Sequence, residues 1–381
     1  MRGSLAALGD LKRQIEDVKA LLSKRGPFLR ASVDETIEEV QPTDTDRTED
    51  DTNYDAGNLC HNIESTENGS PFVSPGPPIP RKERNFFRYF LDGSIRTYYW
   101  GEKLEGNTGV PIMIAEAASA VVSRDSEGTI KPTKFARHLC LITPGCPPLS
   151  DDTWEDIQSL KTSLDSMVSP KLEVFTLAKA EEKRDLRNSL AGKARSIMHD
   201  LEHELAAEIS RESDDWLIID GAIRKELFLR LPDTIGLAKS FSRRPVFSID
   251  GSKNAKDVVT LLGPLKQGDR TLVFKQDVAV EESEPIKKSI AFWYLRLRSG
   301  VGLENPLQGI VKVEMHHEGD ELSYDQAGLV NTISRALLAE RYVSPYPVPR
   351  WPAHIYPIYT AENYIKASMF PPIYIRGLLS G

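Results

Sequence analysis

The sequence has few cysteines, no long apolar run and no glycine-rich phosphate-binding loop of the Walker type. Its 381 residues include three cysteines, Cys60, Cys140 and Cys146, none in a Cys-x-x-Cys pair. Such usage argues against a zinc site and for a reducing cytoplasm. The apolar runs fall far short of the ~18 residues that span a bilayer, and charges interrupt the N-terminus. We therefore expect a cytoplasmic protein with no membrane span, no signal peptide and no ATP site of its own.

Acidic residues are concentrated in one stretch. Twelve acidic residues and one arginine lie between Asp34 and Glu67, so this stretch carries −11 of a chain whose net charge is −8, and the remainder carries +3. The mildly basic remainder is compatible with a nucleic-acid partner but does not require one. Residues 32–82, rich in acidic and small polar residues and then in proline, are predicted to be an acidic, flexible linker.

The N-terminal segment, residues 1–31, is predicted to form an amphipathic helix. Its apolar residues follow the 3, 4, 3, 4 spacing of a coiled coil and are Leu8, Leu11, Ile15, Val18 and Leu22. Gly26 and Pro27 end the pattern. Two alternatives stay open: the helix packs on its own domain, or it docks onto another chain.

Residues 83–381 alternate strand and helix patterns, which predicts one α/β domain with a central sheet. We expect a hairpin formed by "FFRYFLDGS" and "TYYWGE", followed by several apolar strands. Helices are predicted near residues 180–211, 325–342 and 357–369.

Two apolar strand patterns each end in an Asp-Gly pair, at Asp92 and at Asp220. Ligands of open α/β sheets bind beyond strand ends, and carboxylates crowded there repel each other unless a cation neutralises them. Oxygen ligands suit Mg²⁺ or Mn²⁺. The alternative is that each aspartate only caps a turn, because Asp-Gly is a common turn dipeptide.

Further polar residues accompany these aspartates. On the helix before Asp220, Glu202 and Glu204 sit at opposite edges of the apolar stripe, so either can face inward or both can be solvated. Lys239 stands late in the next strand, where it can bind a phosphate or lie on the surface. His354 precedes the helix near 357–369 and Glu362 lies within it, where the helix dipole also favours an acid.

Five segments, taken in order, resemble the NurA family of DNA nucleases, which have a ribonuclease H-like core. They span about residues 83–370 and are "YFLDGS", "MHDLEHELA", "LIIDGAI", "IGLAKSF" and "YPIYTAENYIKA". The fold implied is a ribonuclease H-like mixed central sheet with flanking helices. The chain departs from the family at Glu362, where His or Asp is more usual.

The resemblance also implies roles for individual residues. Asp92 and Asp220 would be the central ligands of Mn²⁺ or Mg²⁺, with Asp92 bridging two ions. Glu202, at the family-like spacing from Met198, would be the helix ligand, with Glu204 as the alternative. Glu362 would complete the set, with His354 as its possible substitute. Lys239 would contact the phosphate.

The implied function is metal-dependent DNA cleavage by a homodimer that works with a HerA-type hexameric ATPase translocase in DNA end resection or anti-phage defence. Two other functions stay open. One is a non-catalytic, nuclease-like scaffold that binds DNA or the translocase, and the other is a related enzyme that acts on RNA.

Overall fold

The computed structural model describes residues 2–31, 59–65, 69–80, 85–167, 172–177, 185–223, 226–278, 288–299, 305–341 and 351–380, without the side chains of 2–8, 226–227, 278 and 288. Most of the acidic stretch, residues 32–58, lies outside the described residues. Within the described ranges the α-helices are α1 (Arg2–Lys24), α2 (Asp151–Asp165), α3 (Leu186–Ala207), α4 (Glu226–Leu229), α5 (Val258–Leu262), α6 (Tyr324–Glu340), α7 (Tyr356–Ser368) and α8 (Pro372–Ser380).

Fifteen strands are assigned in the described ranges. They are β1 (Phe28–Arg30), β2 (Leu59–His61), β3 (Phe72–Val73), β4 (Phe87–Glu105), β5 (Thr108–Arg124), β6 (Ile130–Pro144), β7 (Leu172–Leu177), β8 (Trp216–Asp220), β9 (Thr234–Ala238), β10 (Val246–Ser248), β11 (Lys256–Asp257), β12 (Arg270–Thr271), β13 (Phe274–Val278), β14 (Lys288–Arg296) and β15 (Ile310–His316).

Most of the strands belong to one mixed sheet. It has twelve strands in the order β3-β12-β14-β15-β9-β8-β4-β5-β6-β7, with β1 on β4 and β13 on β14. The neighbours β6, β5 and β4 are antiparallel, whereas β4, β8 and β9 are parallel. A second sheet contains β11, β10 and β2. The predicted α/β fold with a central sheet is confirmed.

Strand β4 differs from the sequence prediction. The hairpin expected near Gly93 is wrong, because β4 runs unbroken through Gly93 as far as Glu105. Its hairpin partner is β5, and Glu105 pairs with Thr108 at the turn. Pairing with β5 includes both Asp92 and Gly93, and pairing with β8 reaches Leu91 just before them. This pairing overrides the turn preference of Asp-Gly.

Helices cover both faces of the sheet. Helix α3 packs through Leu190 and Ala194 on a cluster that includes Ala115 and Ala117 of β5. Helix α7 packs through Ile365 on Ala118 and Ala120 of the same strand. Because successive residues of a strand point to opposite faces, α3 and α7 lie on opposite sides of the sheet. None of the helices in the described ranges is long and apolar enough to cross a membrane.

The N-terminal helix packs on the rest of the chain. Leu11, Ile15, Val18 and Leu22 are at most 2% exposed. They pack in one cluster with residues of β4, β5, β7 and α8. Gln14 accepts a hydrogen bond from the backbone of Leu172 at 2.7 Å. The apolar face of α1 is therefore filled from within the chain, as the first of the two alternatives expects.

Two pieces of the expected linker also join the body. Strand β2 pairs in parallel with β10, and β3 pairs with β12. Glu64, just after β2, accepts two hydrogen bonds from Arg270, at 2.6 and 2.7 Å. The flexible-linker expectation for residues 32–82 therefore does not extend to residues 59–65 and 69–80.

A candidate acidic site at the end of the parallel strands

The two Asp-Gly pairs lie side by side at the centre of the main sheet. Strands β4 and β8 pair in parallel up to Leu91 and Ile219, so Asp92 and Asp220 are the next residues of the two strands. Strand β8 ends at Asp220, and Gly221 follows with a φ of 122° that suits glycine. Strand β4 continues. The turn-capping alternative is therefore wrong for Asp92, which lies inside a strand.

The register assigns Asp92 to the α7 side of the sheet. Asp92 lies opposite Ala120, which packs against Ile365 and Met369 at the C-terminal end of α7. Opposite residues of an antiparallel pair share a face, so Asp92 points to the side that carries α7 and Glu362. Asp92 is only 5% exposed.

Glu202 approaches from the other side of the sheet, on α3. It is 2% exposed, whereas Glu204 on the same helix is exposed to solvent. A Cβ atom added to Gly93 would lie 2.6 Å from Oε1 of Glu202 and 2.9 Å from Cγ of Met198. The missing side chain at position 93 therefore leaves the space that the carboxylate occupies. Of the two glutamates, Glu202 is the one that faces the sheet.

His199 is a neighbour of the site that sequence reasoning missed. Its Nδ1 lies 2.7 Å from Oε2 of Glu202, one helical turn away. The i, i+3 spacing of the two residues was available as a signal. That spacing is equally common on solvated helix surfaces, so it did not single out His199.

Lys239 stands directly after β9 and pairs with Asp220. Its Nζ lies 2.6 Å from Oδ2 of Asp220, and the two side chains are 12% and 14% exposed. Burial opposes the charge of Lys239, but the carboxylates of Asp220 and Asp92 outweigh it and raise the pKa of the lysine. Lys239 is thus at the strand end, where the sequence predicts it. In this arrangement its ammonium group neutralises the carboxylate of Asp220.

Glu362 lies in the second turn of α7, since the helix begins at Tyr356. The helix dipole acts mainly within the first turn, so it does not account for an acid at this position. Burial raises the pKa of Glu362, but Lys366, Lys239 and His354 together hold it below its usual value. Lys366 Nζ lies 2.5 Å from the carboxylate, and His354 is 5% exposed. The structure thus brings Glu362, Lys239 and His354 into one neighbourhood.

The acids act together on Asp92. Burial raises the pKa of Asp92 well above its usual value, and repulsion by Asp220, Glu202 and Glu362 raises it further, while Lys239 opposes the rise. The other three predicted acids are therefore close enough to influence one buried carboxyl group. The charged form of Asp92 is disfavoured by burial and by these neighbours, which is the condition that a bound cation relieves.

The donor set fits a hard divalent cation, because it consists of carboxylate oxygens in a protected place. Among the residues that the structure describes, no three His, Cys, Asp or Glu side chains stand close enough to hold one ion. Binding an ion needs the acids closer together than they stand here. In this arrangement Lys239 holds Asp220.

Fold and site define an α/β protein with a buried carboxylate cluster where parallel strands of its central sheet end, the place at which open sheets bind ligands. No protein-family model matches the chain, and no curated protein matches it in sequence.

Proposed function

We propose that the protein is a metal-dependent deoxyribonuclease that uses Mn²⁺ or Mg²⁺ to hydrolyse phosphodiester bonds. The observation that carries this proposal is the buried carboxyl group of Asp92, whose pKa is raised by burial and by Asp220, Glu202 and Glu362. These acids come from the neighbouring parallel strand and from helices on opposite faces of the sheet. A perturbed carboxyl group among further acids is more typical of a functional site than of a structural one.

The strand order supports a finer fold proposal. In the run β6-β5-β4-β8-β9, three antiparallel strands are extended by two that run parallel to β4. Helix α3 lies in the chain between the antiparallel and the parallel strands. We propose a ribonuclease H-like core, in which a three-stranded antiparallel unit is extended by parallel strands next to its first strand. Asp92 and Asp220 would then lie on the first and fourth strands of that core.

Each residue of the site has a role in this proposal. Asp92, Asp220, Glu202 and Glu362 would hold the cations, with His354 as the alternative to Glu362. Bound ions would activate water and neutralise the leaving oxygen. Lys239 stays charged because its pKa is raised, and it would bind a phosphate group of the substrate as a point charge. Gly93, next to Asp92 in β4, leaves the space that the carboxylate of Glu202 occupies.

The partners follow from the family resemblance. We propose DNA as substrate, a homodimer as the working form, and a HerA-type hexameric translocase as the source of ATP-driven movement, in DNA end resection or anti-phage defence. The sequence has no Walker-type loop, so ATP would be handled by the partner ring.

A second candidate is a nuclease-like scaffold that binds DNA or the translocase without cutting. The ion pair between Lys239 and Asp220 favours it, because a lysine can compensate an acid that no metal holds. The two candidates make opposite predictions about metal-dependent cleavage.

The test is a cleavage assay on labelled single-stranded DNA, double-stranded DNA and RNA of one sequence, with Mn²⁺, Mg²⁺ or EDTA, and with and without a cognate ring ATPase. We expect metal-dependent cleavage of DNA that is lost in Asp92→Asn and kept in Glu204→Gln, a matched change at an exposed acid. Binding of DNA without cleavage under all conditions would support the scaffold. Cleavage of RNA alone would mean that the protein is a ribonuclease and not a deoxyribonuclease.

A further inference from the structure

We propose that His199 is a positioning residue that fixes the carboxylate of Glu202 inside the acidic site, an inference that rests on the proposed function. Nδ1 of His199 lies 2.7 Å from Oε2 of Glu202. With hydrogen on that nitrogen, the ring donates to the carboxylate. The contact joins a partly exposed ring, 34% exposed, to a carboxylate that is 2% exposed.

The two oxygens of Glu202 are constrained by different neighbours. Oε1 occupies the space beside Gly93, 2.6 Å from where a Cβ atom of residue 93 would be. Oε2 is held by His199. A glutamate side chain has three rotatable bonds and loses conformational freedom when it is ordered, so a preset orientation removes this cost before a ligand binds. Gly93 provides the space, and His199 selects the orientation within it.

The location of His199 suits a positioning role. The imidazole is rigid, it lies one turn before Glu202 on the same helix, and its partial exposure means that its replacement leaves no buried cavity. Carboxylates that bind metals are usually held by hydrogen bonds of this kind, and their loss typically costs about 10- to 100-fold in metal affinity or activity.

Helix α3 offers a matched control. His203 lies one turn beyond His199 and is edge-on to the ring of Phe228, with centroids 5.9 Å apart. His203 is not among the groups that shift the pKa of Asp92. Replacing His203 therefore removes an imidazole from the same helix without removing the bond to Glu202.

The test compares His199→Leu, His199→Asn and His203→Leu. Asparagine can place an amide nitrogen near the position of Nδ1, whereas leucine cannot donate. Crystal structures of the metal-free variants report the orientation of Glu202, and Mn²⁺ titrations of cleavage at constant pH report kcat and the half-saturating concentration. The thermal midpoint of each variant monitors the fold.

We expect Glu202 to be turned away in His199→Leu, with a 10- to 100-fold higher half-saturating Mn²⁺ concentration. Glu202 should stay in place in His199→Asn with most activity recovered, and His203→Leu should match the wild type. An unmoved Glu202 in His199→Leu would overturn the inference, as would equal losses in the leucine and asparagine variants. The metal-free structures decide this even if the wild type cuts no DNA, in which case the proposed function fails separately.

Discussion

Two regions of this protein bury charged groups, and they do so in different ways. Arg270 is fully buried and donates twice to Glu64, while Asn331 accepts from its Nε at 2.9 Å. There each charge has a partner, and the pair fastens the segment after β2 onto the main sheet. Asp92, in contrast, is buried among acids and forms no ion pair in the described part of the chain, because the nearby lysines pair with its acidic neighbours instead. Burial and the repulsion of those neighbours raise its pKa well above the usual value. The first region pairs its buried charges, and the second leaves one buried carboxyl group without a cation.

The contrast indicates where the fold gives up stability. A buried ion pair whose hydrogen bonds are complete costs little once formed, whereas uncompensated acids of like sign destabilise the folded chain. A cluster of the second kind persists in native proteins mostly at functional sites. The comparison therefore predicts opposite effects of charge removal: loss of stability at Arg270 and loss of function, without loss of stability, at Asp92.

Removing a charge from the acidic cluster gives the largest effect on function. We expect Asp92→Asn and Asp220→Asn each to lower cleavage by about 10³-fold or more, because each removes a proposed ligand while keeping the volume. The thermal midpoint of Asp92→Asn should be equal to or above that of the wild type, since repulsion falls. Cleavage rates and melting curves of the same preparations check this, and full activity in either variant would exclude the site.

Removing a charge from the compensated pair gives the largest effect on stability. We expect Arg270→Met to lower the free energy of unfolding by about 3–5 kcal/mol, because Glu64 is left buried without its partner. Chemical denaturation measures the loss. The double variant Arg270→Met with Glu64→Leu should recover much of the lost stability. If the double variant is no more stable than Arg270→Met alone, the hydrogen bonds to Glu64, rather than the balance of charge, determine the stability of this region.

Filling the space beside Glu202 tests whether the position of this carboxylate matters for cleavage. We expect Gly93→Ala to reduce cleavage by about 10- to 100-fold, because the added methyl group overlaps Oε1 of Glu202 and the side chain of Met198. Gly192→Ala is the matched control on α3, since nothing lies within 4 Å of an added Cβ there. Equal activity of the two alanine variants would show that the space at Gly93 has no bearing on Glu202.

The smallest effect is a dependence of stability on pH. The pKa of Asp92 is raised by burial and by its acidic neighbours, so the wild type loses stability as the pH rises from the unfolded pKa through the folded one. Asp92→Asn lacks this loss. Its advantage in thermal midpoint should therefore be full above the folded pKa of Asp92 and disappear in acid, as melting curves from pH 4 to 8 can test. If the advantage of Asp92→Asn were the same at all pH values, the titration of Asp92 would not be its cause.

Local patterns predicted much of the sheet and the place of Asp220 at the end of β8, because an apolar strand that ends in Asp-Gly has a short-range signature. The extent of β4 was not predictable locally, since its pairing with β5 and β8 outweighs the turn preference of Asp92 and Gly93. Helical periodicity left Glu202 and Glu204 equivalent, and the family resemblance preferred Glu202. The position of α3 against Gly93 shows that Glu202 is the one that faces the sheet.

The structure of the N-terminal part was the hardest to predict, because it depends on long-range contacts. The spacing that predicted α1 is the same for a docking helix and for a packed one, and only the burial of Leu11, Ile15, Val18 and Leu22 favours the packed form. Deleting residues 1–82, which a docking helix would tolerate, should therefore destabilise this chain. It removes those four residues together with β2 and Glu64.

The central claim is that Asp92 and the acids around it form a cation site. Calorimetric titration of the metal-free protein with Mn²⁺ at neutral pH tests it most directly, with Asp92→Asn and the exposed-site control Glu204→Gln measured alongside. We predict saturable binding to the wild type and to Glu204→Gln that is abolished or greatly weakened in Asp92→Asn. Absence of Mn²⁺ binding to the wild type, or equal binding to Asp92→Asn, would contradict the account.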